Sequence, residues 1–198
     1  MAGVKSFDRD DVLDKAAGQF WRDGYEGSSI QSLEEATGLG RGSLYNAFGD
    51  KKALFLEVLA RYSTTDGALP IDLLADADIH RGLHNMLHAI VVRMDQPDRP
   101  RGCLITNSCL SVQCPQVEQV IAAAMQKMQT ALEAAFHRAQ VEGQIMQSAD
   151  IATLARFYTT VIRGLGVSHK AGETAKGLAA IVDVAVTAFP GNAALASA

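Results

Sequence analysis

The sequence is poor in residues that cross-link or interrupt a chain, and it has no long apolar run. It contains three cysteines and five prolines among 198 residues. An odd number of cysteines favours free thiols in a reducing compartment, and scarce proline favours helices. No segment approaches the roughly 20 consecutive apolar residues that span a bilayer, and the N-terminal segment lacks the apolar core of a signal peptide. We therefore expect a cytoplasmic protein with no membrane partner.

An excess of positive charge is missing as well. The formal net charge is −4, and residues 1–62 contain eight lysines and arginines against ten aspartates and glutamates. Because nucleic-acid-binding proteins usually concentrate cations on one face, DNA binding by this chain would have to depend on where its cations lie. Apolar residues make up 48% of the sequence, which is enough for a folded core and excludes a disordered chain.

The motifs of common enzyme and cofactor classes are also absent from the sequence. Residues 38–43, GLGRGS, lack the G-x-G-x-x-G spacing of a dinucleotide-binding loop, and a helix rather than a strand precedes them. Neither a phosphate-binding G-x-x-x-x-G-K-S/T loop nor a zinc-binding H-E-x-x-H helix occurs. Since no convergent catalytic groups are recognisable either, we predict that the chain is not an enzyme and has no cofactor.

Apolar residues recur at helical spacing through most of the chain, and no segment shows the alternation of a β-strand. We predict helices over residues 8–23, 28–37, 41–48, 50–62, 72–96 (with an interruption near Asp78), 103–111, 115–141, 150–165 and 174–189. The polar stretch 63–70 is a predicted linker, and the residues after Pro190 form a predicted loose tail. The sequence thus predicts an all-α fold with two domains, residues 1–62 and 63–198.

The second and third predicted helices have the spacing of a helix-turn-helix unit. Ser28 and Gln31 have the spacing of a capping box, so we expect Ser28 to open the second helix. Gly38 ends that helix, and the third helix begins almost at once at Arg41. In such a unit the second helix of the pair enters the major groove of DNA, which makes residues 41–48 the predicted recognition helix.

Residues 33–54, LEEATGLGRGSLYNAFGDKKAL, resemble the signature of TetR/AcrR-family transcriptional regulators. The matching positions are Gly24, Tyr25, Ser28, Ser29, Leu33, Gly38, Gly42, Leu44, Tyr45, Phe48, Lys51 and Leu54. Their order and spacing fit the family over the N-terminal third of the chain, and the rest fits in its helical layout. The resemblance implies an all-helical homodimer. It has an N-terminal three-helix helix-turn-helix DNA-binding domain and a C-terminal ligand-binding and dimerisation domain, whose last two helices form a four-helix interface.

The segment departs from the family pattern at three positions. Glu34 and Thr37 stand where small alanines are common, and Gly40 stands where a serine usually caps the recognition helix. We therefore expect the recognition helix to start without a side-chain cap.

The predicted DNA contacts combine close backbone approach with polar and cationic side chains. Gly42 lets the backbone approach a phosphate, and the hydroxyl of Tyr45 can bind one. Arg41 can reach a phosphate or a guanine edge, Asn46 can pair with adenine, and Lys51 can meet a phosphate at the start of the fourth helix. The complete predicted set is Ser28, Ser29, Arg41, Gly42, Ser43, Tyr45, Asn46 and Lys51. The alternative interpretation of these residues is an ordinary solvated helix face.

Cys103 is the predicted sensor residue of the second domain. It follows the basic loop 98–102 at an expected helix start, where Arg99 and Arg101 would favour the nucleophilic thiolate. The surrounding RGCLITNS resembles the effector domains of electrophile-sensing TetR-like regulators. We expect Cys109 to be buried in mid-helix and less reactive, and Cys114 to be the nearest competitor.

Several large apolar side chains of the second domain are candidates for the wall of an effector pocket. These residues are Met86, Met125, Met128, Phe157 and Tyr158. The alternative is that all of them, and Cys103 with them, are ordinary core residues.

Three histidines, His80, His84 and His88, lie four residues apart and would form one stripe along a predicted helix. Neighbours at this spacing can share a metal ion, but the sequence identifies no carboxylate or cysteine that completes a site. We therefore favour a polar border of a core helix over a metal site at this position.

We interpret the chain as a DNA-binding transcriptional regulator, a repressor that leaves its operator when a small-molecule effector binds or when Cys103 is modified. Its expected partners are double-stranded operator DNA, an unidentified effector, and a second copy bound through the last two helices. The surface expected for that contact contains Ala175, Gly177, Ala179, Ala180, Ile181, Val182, Val184 and Ala185. The alternative class is a helical scaffold or partner-binding protein without DNA affinity, which the negative charge of residues 1–62 supports.

Overall fold

The computed structural model describes residues 7–65, 67–109 and 112–190, and within them the chain folds into nine α-helices. Their bounds are α1 Arg9–Gly27, α2 Ile30–Thr37, α3 Arg41–Phe48, α4 Lys51–Thr64, α5 Ile79–Met94, α6 Leu104–Cys109, α7 Pro115–Val141, α8 Ile151–Lys170 and α9 Ala175–Thr187. The predicted all-α fold is thus confirmed. The tail predicted after Pro190 lies outside the described residues. No helix in the described part is long and apolar enough to cross a membrane.

We call α1–α4 the head and α5–α9 the body. A 3-10 helix, Ile71–Ala75, joins them at the start of the body. The interruption predicted near Asp78 is confirmed, because the Asp78 carboxylate accepts hydrogen bonds from the N–H groups of His80 and Arg81 and so begins α5 as a separate helix.

The junction between α1 and α2 differs from the predicted capping box. The cap of α2 is Ser29, whose Oγ accepts a hydrogen bond from the backbone N–H of Ser32 at 3.0 Å. Ser28 still belongs to the end of α1, since its hydroxyl donates to the carbonyl of Gly24 at 2.7 Å. Gly24 has a φ of 75° and bends the end of α1. The predicted pairing of Ser28 with Gln31 is therefore wrong by one residue.

The core of the head is aromatic and continues into the body. The rings of Phe20 and Phe55 meet edge to face with centroids 4.7 Å apart, and Tyr25 lies 5.0 Å from Phe55. Leu104 of α6 and Val117 of α7 belong to the same buried cluster. Because head and body share this cluster, a shift of α6 or α7 reaches the helices of the head directly. The division at residue 62 stays a prediction.

The core of the body is formed by α5, α7, α8 and α9. Phe136, Tyr158 and Phe189 pack together near its centre, with ring centroids 5.4 to 5.9 Å apart. The hydroxyl of Tyr158 donates to the carbonyl of Ala185 at 2.8 Å, so the buried polar atom is satisfied.

Helix α8 runs five residues beyond its predicted end at Leu165. The added turn is held by α6 and by the loop before it. Gly166 lies so close to α6 that a methyl group there would be 3.6 Å from Cβ of Cys103. The imidazole Nδ1 of His169 accepts a hydrogen bond from the backbone N–H of Gly102 at 3.0 Å. No local pattern predicts this contact, because the partners are 67 residues apart.

Candidate nucleic-acid interface and effector cavity

Helix α3 presents its polar residues on one exposed face. Leu44 and Phe48 are buried and hold α3 against the rest of the head. The exposed residues of α3 include Arg41, Gly42, Ser43, Tyr45 and Asn46. The fold therefore brings five of the eight predicted DNA-contact residues onto a single surface.

The backbone of α3 is open to approach from outside at Gly42. A Cβ at this position would meet no protein atom within 4 Å, so packing within the protein does not require a glycine there. A glycine is instead what a partner that comes close to the helix backbone would need. Beside it, the guanidinium of Arg41 lies 5.5 Å from the centre of the Tyr45 ring.

The start of α3 has an unexpected cap. Gly40 supplies no side-chain hydrogen bond, as predicted. The carboxylate of Glu34 on α2 takes that role, because it accepts a hydrogen bond from the backbone N–H of Arg41. A negative charge at a helix N-terminus is stabilising, and here it occupies one of the backbone donors at the start of α3. Glu34 departs from the family pattern in sequence, but its capping role could not be predicted because it joins two helices.

Lys51 lies beside this face and has partners within the protein. Its ammonium donates to the carbonyls of Tyr25 at 2.9 Å and Ser28 at 3.1 Å, and it sits 4.4 Å from the centre of the Tyr25 ring. Since an ammonium has three hydrogens, one is left for a phosphate. Lys51 therefore holds the end of α1 against the start of α4 in addition to any contact with DNA.

An open groove runs between α3 and the starts of α2 and α4. Tyr25, Ser29, Tyr45, Lys51 and Lys52 are among its lining residues. Ser29 is exposed, whereas the side chain of Ser28 is buried at the back of the groove. Lys52 was not among the predicted contacts; its ammonium donates to Oε1 of Gln116 on α7 at 2.8 Å and so links the groove to the body.

Three acids of the head form ion pairs with arginines of α1 and α4. Arg61 pairs with Asp14 at 2.6 Å and with Asp10 at 2.8 Å, and Arg9 pairs with Glu57 at 2.7 Å. These acids belong to α1 and α4, and cations of the same helices neutralise them. These pairs cancel locally, whereas the carboxylate of Glu34 lies directly at the start of α3.

A cavity of about 60 Å³ lies where the head meets the body. Its walls include Trp21 of α1, Tyr62 of α4, Arg99, Cys103 and Ile162 of α8. A buried water needs about 10–15 Å³ of such space, so the cavity admits only a small organic group. It contacts two head helices and is therefore placed to affect their position.

Aromatic and cationic groups form the head side of this cavity. The rings of Trp21 and Tyr62 meet edge to face at 5.1 Å, and the Arg99 guanidinium lies 5.1 Å from the Trp21 ring. The Tyr62 hydroxyl donates to Sγ of Cys103 at 3.6 Å. Burial holds the pKa of Tyr62 well above its ordinary value, so the hydroxyl stays protonated and remains a donor.

Among the predicted effector residues, only Cys103 lines this cavity. Met86, Met128 and Tyr158 are buried in the body core, and Met125 packs against the head cluster. Phe157 is exposed on α8. Trp21 and Tyr62 were missed because they belong to the head by sequence and reach the cavity only through the packing of head on body.

The two arginines near Cys103 point in different directions. Arg99 stays in the cavity wall. Arg101 turns to α8 and its end, where its guanidinium donates to the carbonyls of His169 at 2.9 Å and Glu173 at 2.7 Å. Arg101, which was expected beside the Cys103 thiol together with Arg99, is thus bonded to the backbone of residues 169 and 173 instead.

Cys109 is exposed, and the prediction that it is buried in mid-helix is wrong. It is the last residue of α6, which is shorter than predicted, although residues 110 and 111 lie outside the described part of the chain. Its thiol donates to the carbonyl of Thr106 at 3.1 Å. Partial desolvation raises the pKa of the Cys109 thiol, which makes it less reactive at neutral pH. Cys114 is half-buried at the start of α7.

The three histidines of α5 separate into one packed ring and one pair. His80 packs edge to face against Phe189, with centroids 4.9 Å apart. His84 and His88 both face α9, where they meet the carboxylate of Asp183. A carboxylate that completes the group is therefore present on α9, and Asp183 lies 95 residues after His88 in the chain.

The last two helices carry exposed apolar side chains. Ile181 and Val184 of α9, with Phe157 and Val167 of α8, are exposed in the protomer. Val182, which was expected on this surface, is instead buried in the body core.

Two family models match the chain. The model described as bacterial regulatory proteins, tetR family, matches residues 12–58, and the tetracyclin repressor-like C-terminal domain matches residues 80–187. The transcriptional repressor ComR of Escherichia coli K12 is 30% identical over 190 residues, which cover 94% of this chain and 90% of ComR. The transcriptional repressor AcnR of Corynebacterium glutamicum is 29% identical and covers 89% of each chain.

A solved structure with a similar fold is that of the regulator CifR, in the form of a cysteine mutant complexed with double-strand operator DNA of 26 base pairs. It has a TM-score of 0.88 and 33% sequence identity, and the match covers 96% of this chain and all of the CifR chain.

Proposed function

The chain belongs to the TetR family of DNA-binding transcriptional regulators, and on that basis we propose that it represses transcription as an operator-bound homodimer and is released when Cys103 is modified. The observation that carries DNA binding is the exposed polar face of α3, with Arg41, Gly42, Tyr45 and Asn46 on one surface. Two such helices in a dimer fit successive major grooves of a nearly palindromic site, about 34 Å apart.

The experiment for DNA binding is a titration of the full chain into labelled DNA from the region upstream of its own gene, followed by fluorescence anisotropy. An unrelated fragment of equal length is the control. Affinity for the upstream DNA should exceed that of the control and should fall steeply with salt, since each dimer neutralises on the order of 6–10 phosphates. Equal affinity for both fragments, or affinity that does not change with salt, would refute an operator-binding function.

The homodimer is supported by the exposed apolar residues of α8 and α9. Ile181, Val184 and Phe157 are large apolar side chains without cover in the protomer. Exposed apolar side chains on two neighbouring helices are typical of interfaces between copies. The partner copy would place a second α3 at a fixed distance from the first.

Release through Cys103 is supported by its position between head and body. The Cys103 sulfur shares its cavity with Trp21 of α1 and Tyr62 of α4. A group attached to that sulfur would fill the cavity and press on the rings of Trp21 and Tyr62, which form its head side. Because both rings belong to the core of the head, α1 and α4 would shift, and with them the distance between the two recognition helices.

The effector class that fits is a small carbon electrophile. The thiolate of Cys103 forms a sulfur–carbon bond, and for a halide such as iodoacetamide the carbon–iodine bond breaks and iodide leaves with its electron pair. The cavity of about 60 Å³ limits the attached group to a few heavy atoms. CifR, which is 33% identical, was itself studied with operator DNA as a cysteine mutant.

Limiting iodoacetamide tests this proposal with Cys103→Ser and Cys109→Ser as a matched pair. Mass spectrometry follows the labelling of each cysteine, and anisotropy follows operator binding in the same samples. We expect labelling of Cys103 to release DNA from the wild type and from Cys109→Ser, and Cys103→Ser to stay bound. Release from the Cys103→Ser variant, or a fully labelled Cys103 that leaves DNA binding intact, would overturn the sensor function.

A further inference from the structure

Three side chains from α5 and α9 converge on the surface of the body. Nε2 of His88 lies 3.1 Å, and Nε2 of His84 lies 3.6 Å, from the same Oδ1 of Asp183. The ligand atoms of all three residues lie within 4.8 Å of one another. The two imidazole rings are neighbours one helical turn apart, with centroids 4.3 Å apart.

The packing of the two helices fixes this arrangement. Leu83 and Leu87 of α5 and Val182 of α9 belong to the body core, and each is adjacent in sequence to one of the converging residues. The core contact therefore sets both the distance and the rotation of the helices. His80 is on the same stripe of α5 but packs on Phe189, so the site uses two of the three histidines.

We propose that His84, His88 and Asp183 bind a divalent first-row transition-metal ion between α5 and α9. Imidazole nitrogens and a carboxylate oxygen are ligands for ions such as Zn²⁺, Co²⁺ and Ni²⁺. Bonds of about 2.0–2.1 Å in a tetrahedral site place neighbouring ligand atoms roughly 3.3 Å apart. The observed distances of 3.1 and 3.6 Å to the carboxylate bracket that value.

The exposure of the three side chains suits a site that an ion enters from solvent. Their side chains are 44%, 31% and 63% exposed for His84, His88 and Asp183 respectively, so small rotations can bring the ligands to bonding distance. Water would complete the coordination. On α9, Asp183 and Ile181 lie on opposite flanks, since two residues turn about 200° around a helix. The flank that faces α5 therefore stays separate from the one that carries Ile181.

The alternative is that the two histidines and Asp183 form a hydrogen-bonded contact without a metal ion. Such a contact has the same hydrogen bonds but no ion. It predicts that a transition-metal ion does not bind with a stoichiometry of one per chain and does not link α5 to α9. A bound ion would instead connect α5 to α9 and stabilise the folded chain by mass action.

The test is isothermal titration of the full chain, freed of metal with EDTA and dialysed, with Zn²⁺, Co²⁺ or Ni²⁺ alone. The visible spectrum of Co²⁺ reports nitrogen and oxygen ligands independently of heat. We expect one ion per chain, a loss of binding in the double variant of His84→Ala with His88→Ala, and more than tenfold weaker binding in Asp183→Asn. His80→Ala, on the same helix, and His137→Ala, exposed on α7, are matched controls that should bind like the wild type.

Thermal unfolding gives a second readout. A saturating ion should raise the Tm of the wild type by about 5 °C and leave that of the double histidine variant unchanged. If the double histidine variant binds the ion as tightly as the wild type, the ion lies elsewhere and the proposal is overturned. The proposal is also overturned if alkylation of the cysteines alone abolishes metal binding. Failure of the wild type to bind any of the three ions would establish the metal-free contact.

Discussion

The hydroxyl of Tyr62, in the last turn of α4, donates a hydrogen bond to the sulfur of Cys103, with oxygen and sulfur 3.6 Å apart. This contact joins the head directly to the residue that we propose as the sensor. Burial keeps the pKa of the tyrosine well above its ordinary value, so the hydroxyl donates at every physiological pH. A hydrogen-bond donor stabilises the thiolate more than the thiol.

Removal of this donor should therefore slow the alkylation of Cys103. Tyr62→Phe keeps the ring that packs on Trp21 and loses only the hydroxyl. Since one hydrogen bond contributes about 0.5–1.5 kcal/mol, we expect labelling of Cys103 by iodoacetamide at neutral pH to become about 2- to 10-fold slower. Mass spectrometry of the tryptic peptides measures the rate, and labelling of Cys109 in the same sample is the internal control. A rate for Cys103 that is unchanged or faster would contradict the prediction.

Gly42→Ala should weaken DNA binding without destabilising the protein. A Cβ at Gly42 meets no atom of the protein, and alanine favours helix over glycine by about 1 kcal/mol, so the Tm should stay equal or rise. The added methyl would collide only with a DNA backbone that comes close to α3. Anisotropy and thermal unfolding of the same variant separate the two effects. An unchanged affinity for operator DNA would show that the DNA does not approach here.

Glu34→Gln should strengthen DNA binding. The glutamine keeps an oxygen that accepts from the backbone N–H of Arg41, as the carboxylate does, but it removes a negative charge from the start of the recognition helix. We expect a higher affinity for operator DNA. We also expect a small loss of stability, about 0.3–1 kcal/mol, because the interaction of the charge with the helix dipole is lost. Glu35→Gln is the matched control, because Glu35 is an exposed neighbour that bonds Gln31 within α2. Equal gains in both variants would mean that only net charge matters.

Much of the fold follows from local signals, and the parts that do not are contacts between distant segments. Helix α7 has the predicted bounds, Pro115–Val141, because proline suits its first turn and a glycine follows its end. The cap from Glu34, by contrast, depends on how α2 packs beside α3. The bonds of Lys51 to the end of α1 and the meeting of Asp183 with two histidines likewise depend on tertiary packing, which no helical periodicity encodes.

Val184→Asp should convert the protein from dimer to monomer. Val184 is 72% exposed in the protomer, so the charge does not disturb the fold, but in the proposed dimer it would be buried without a partner. Val141→Asp, at a site that is 74% exposed near the end of α7, is the matched control and should leave the dimer intact. Sedimentation velocity at micromolar concentration distinguishes the two states. If both variants form dimers of equal stability, Val184 is not part of the interface.

The stability of the chain should fall as the pH decreases below about 6.5, because of His169. Its imidazole is buried and its Nδ1 accepts from the N–H of Gly102; desolvation, and then the charge of Arg101, lower the pKa of His169 in the folded state. In the unfolded chain the ordinary pKa of about 6.5 returns. The unfolded state therefore binds the proton first, so the contribution of the neutral imidazole is complete above that pH and is lost as the pH falls through the folded-state pKa.

His169→Asn isolates this contribution. The asparagine oxygen can accept from Gly102 N–H in place of Nδ1 and does not titrate, so its stability should change less with pH than that of the wild type between about pH 7.5 and pH 5. His137→Asn, at an exposed residue of α7, should keep the pH dependence of the wild type. Urea unfolding at each pH gives the free energies. If the free energy of unfolding of His169→Asn depends on pH as strongly as that of the wild type, another group causes the loss of stability in acid. If it is flatter, then the hydrogen bond from Gly102 N–H to His169 stabilises the folded chain only while His169 is neutral.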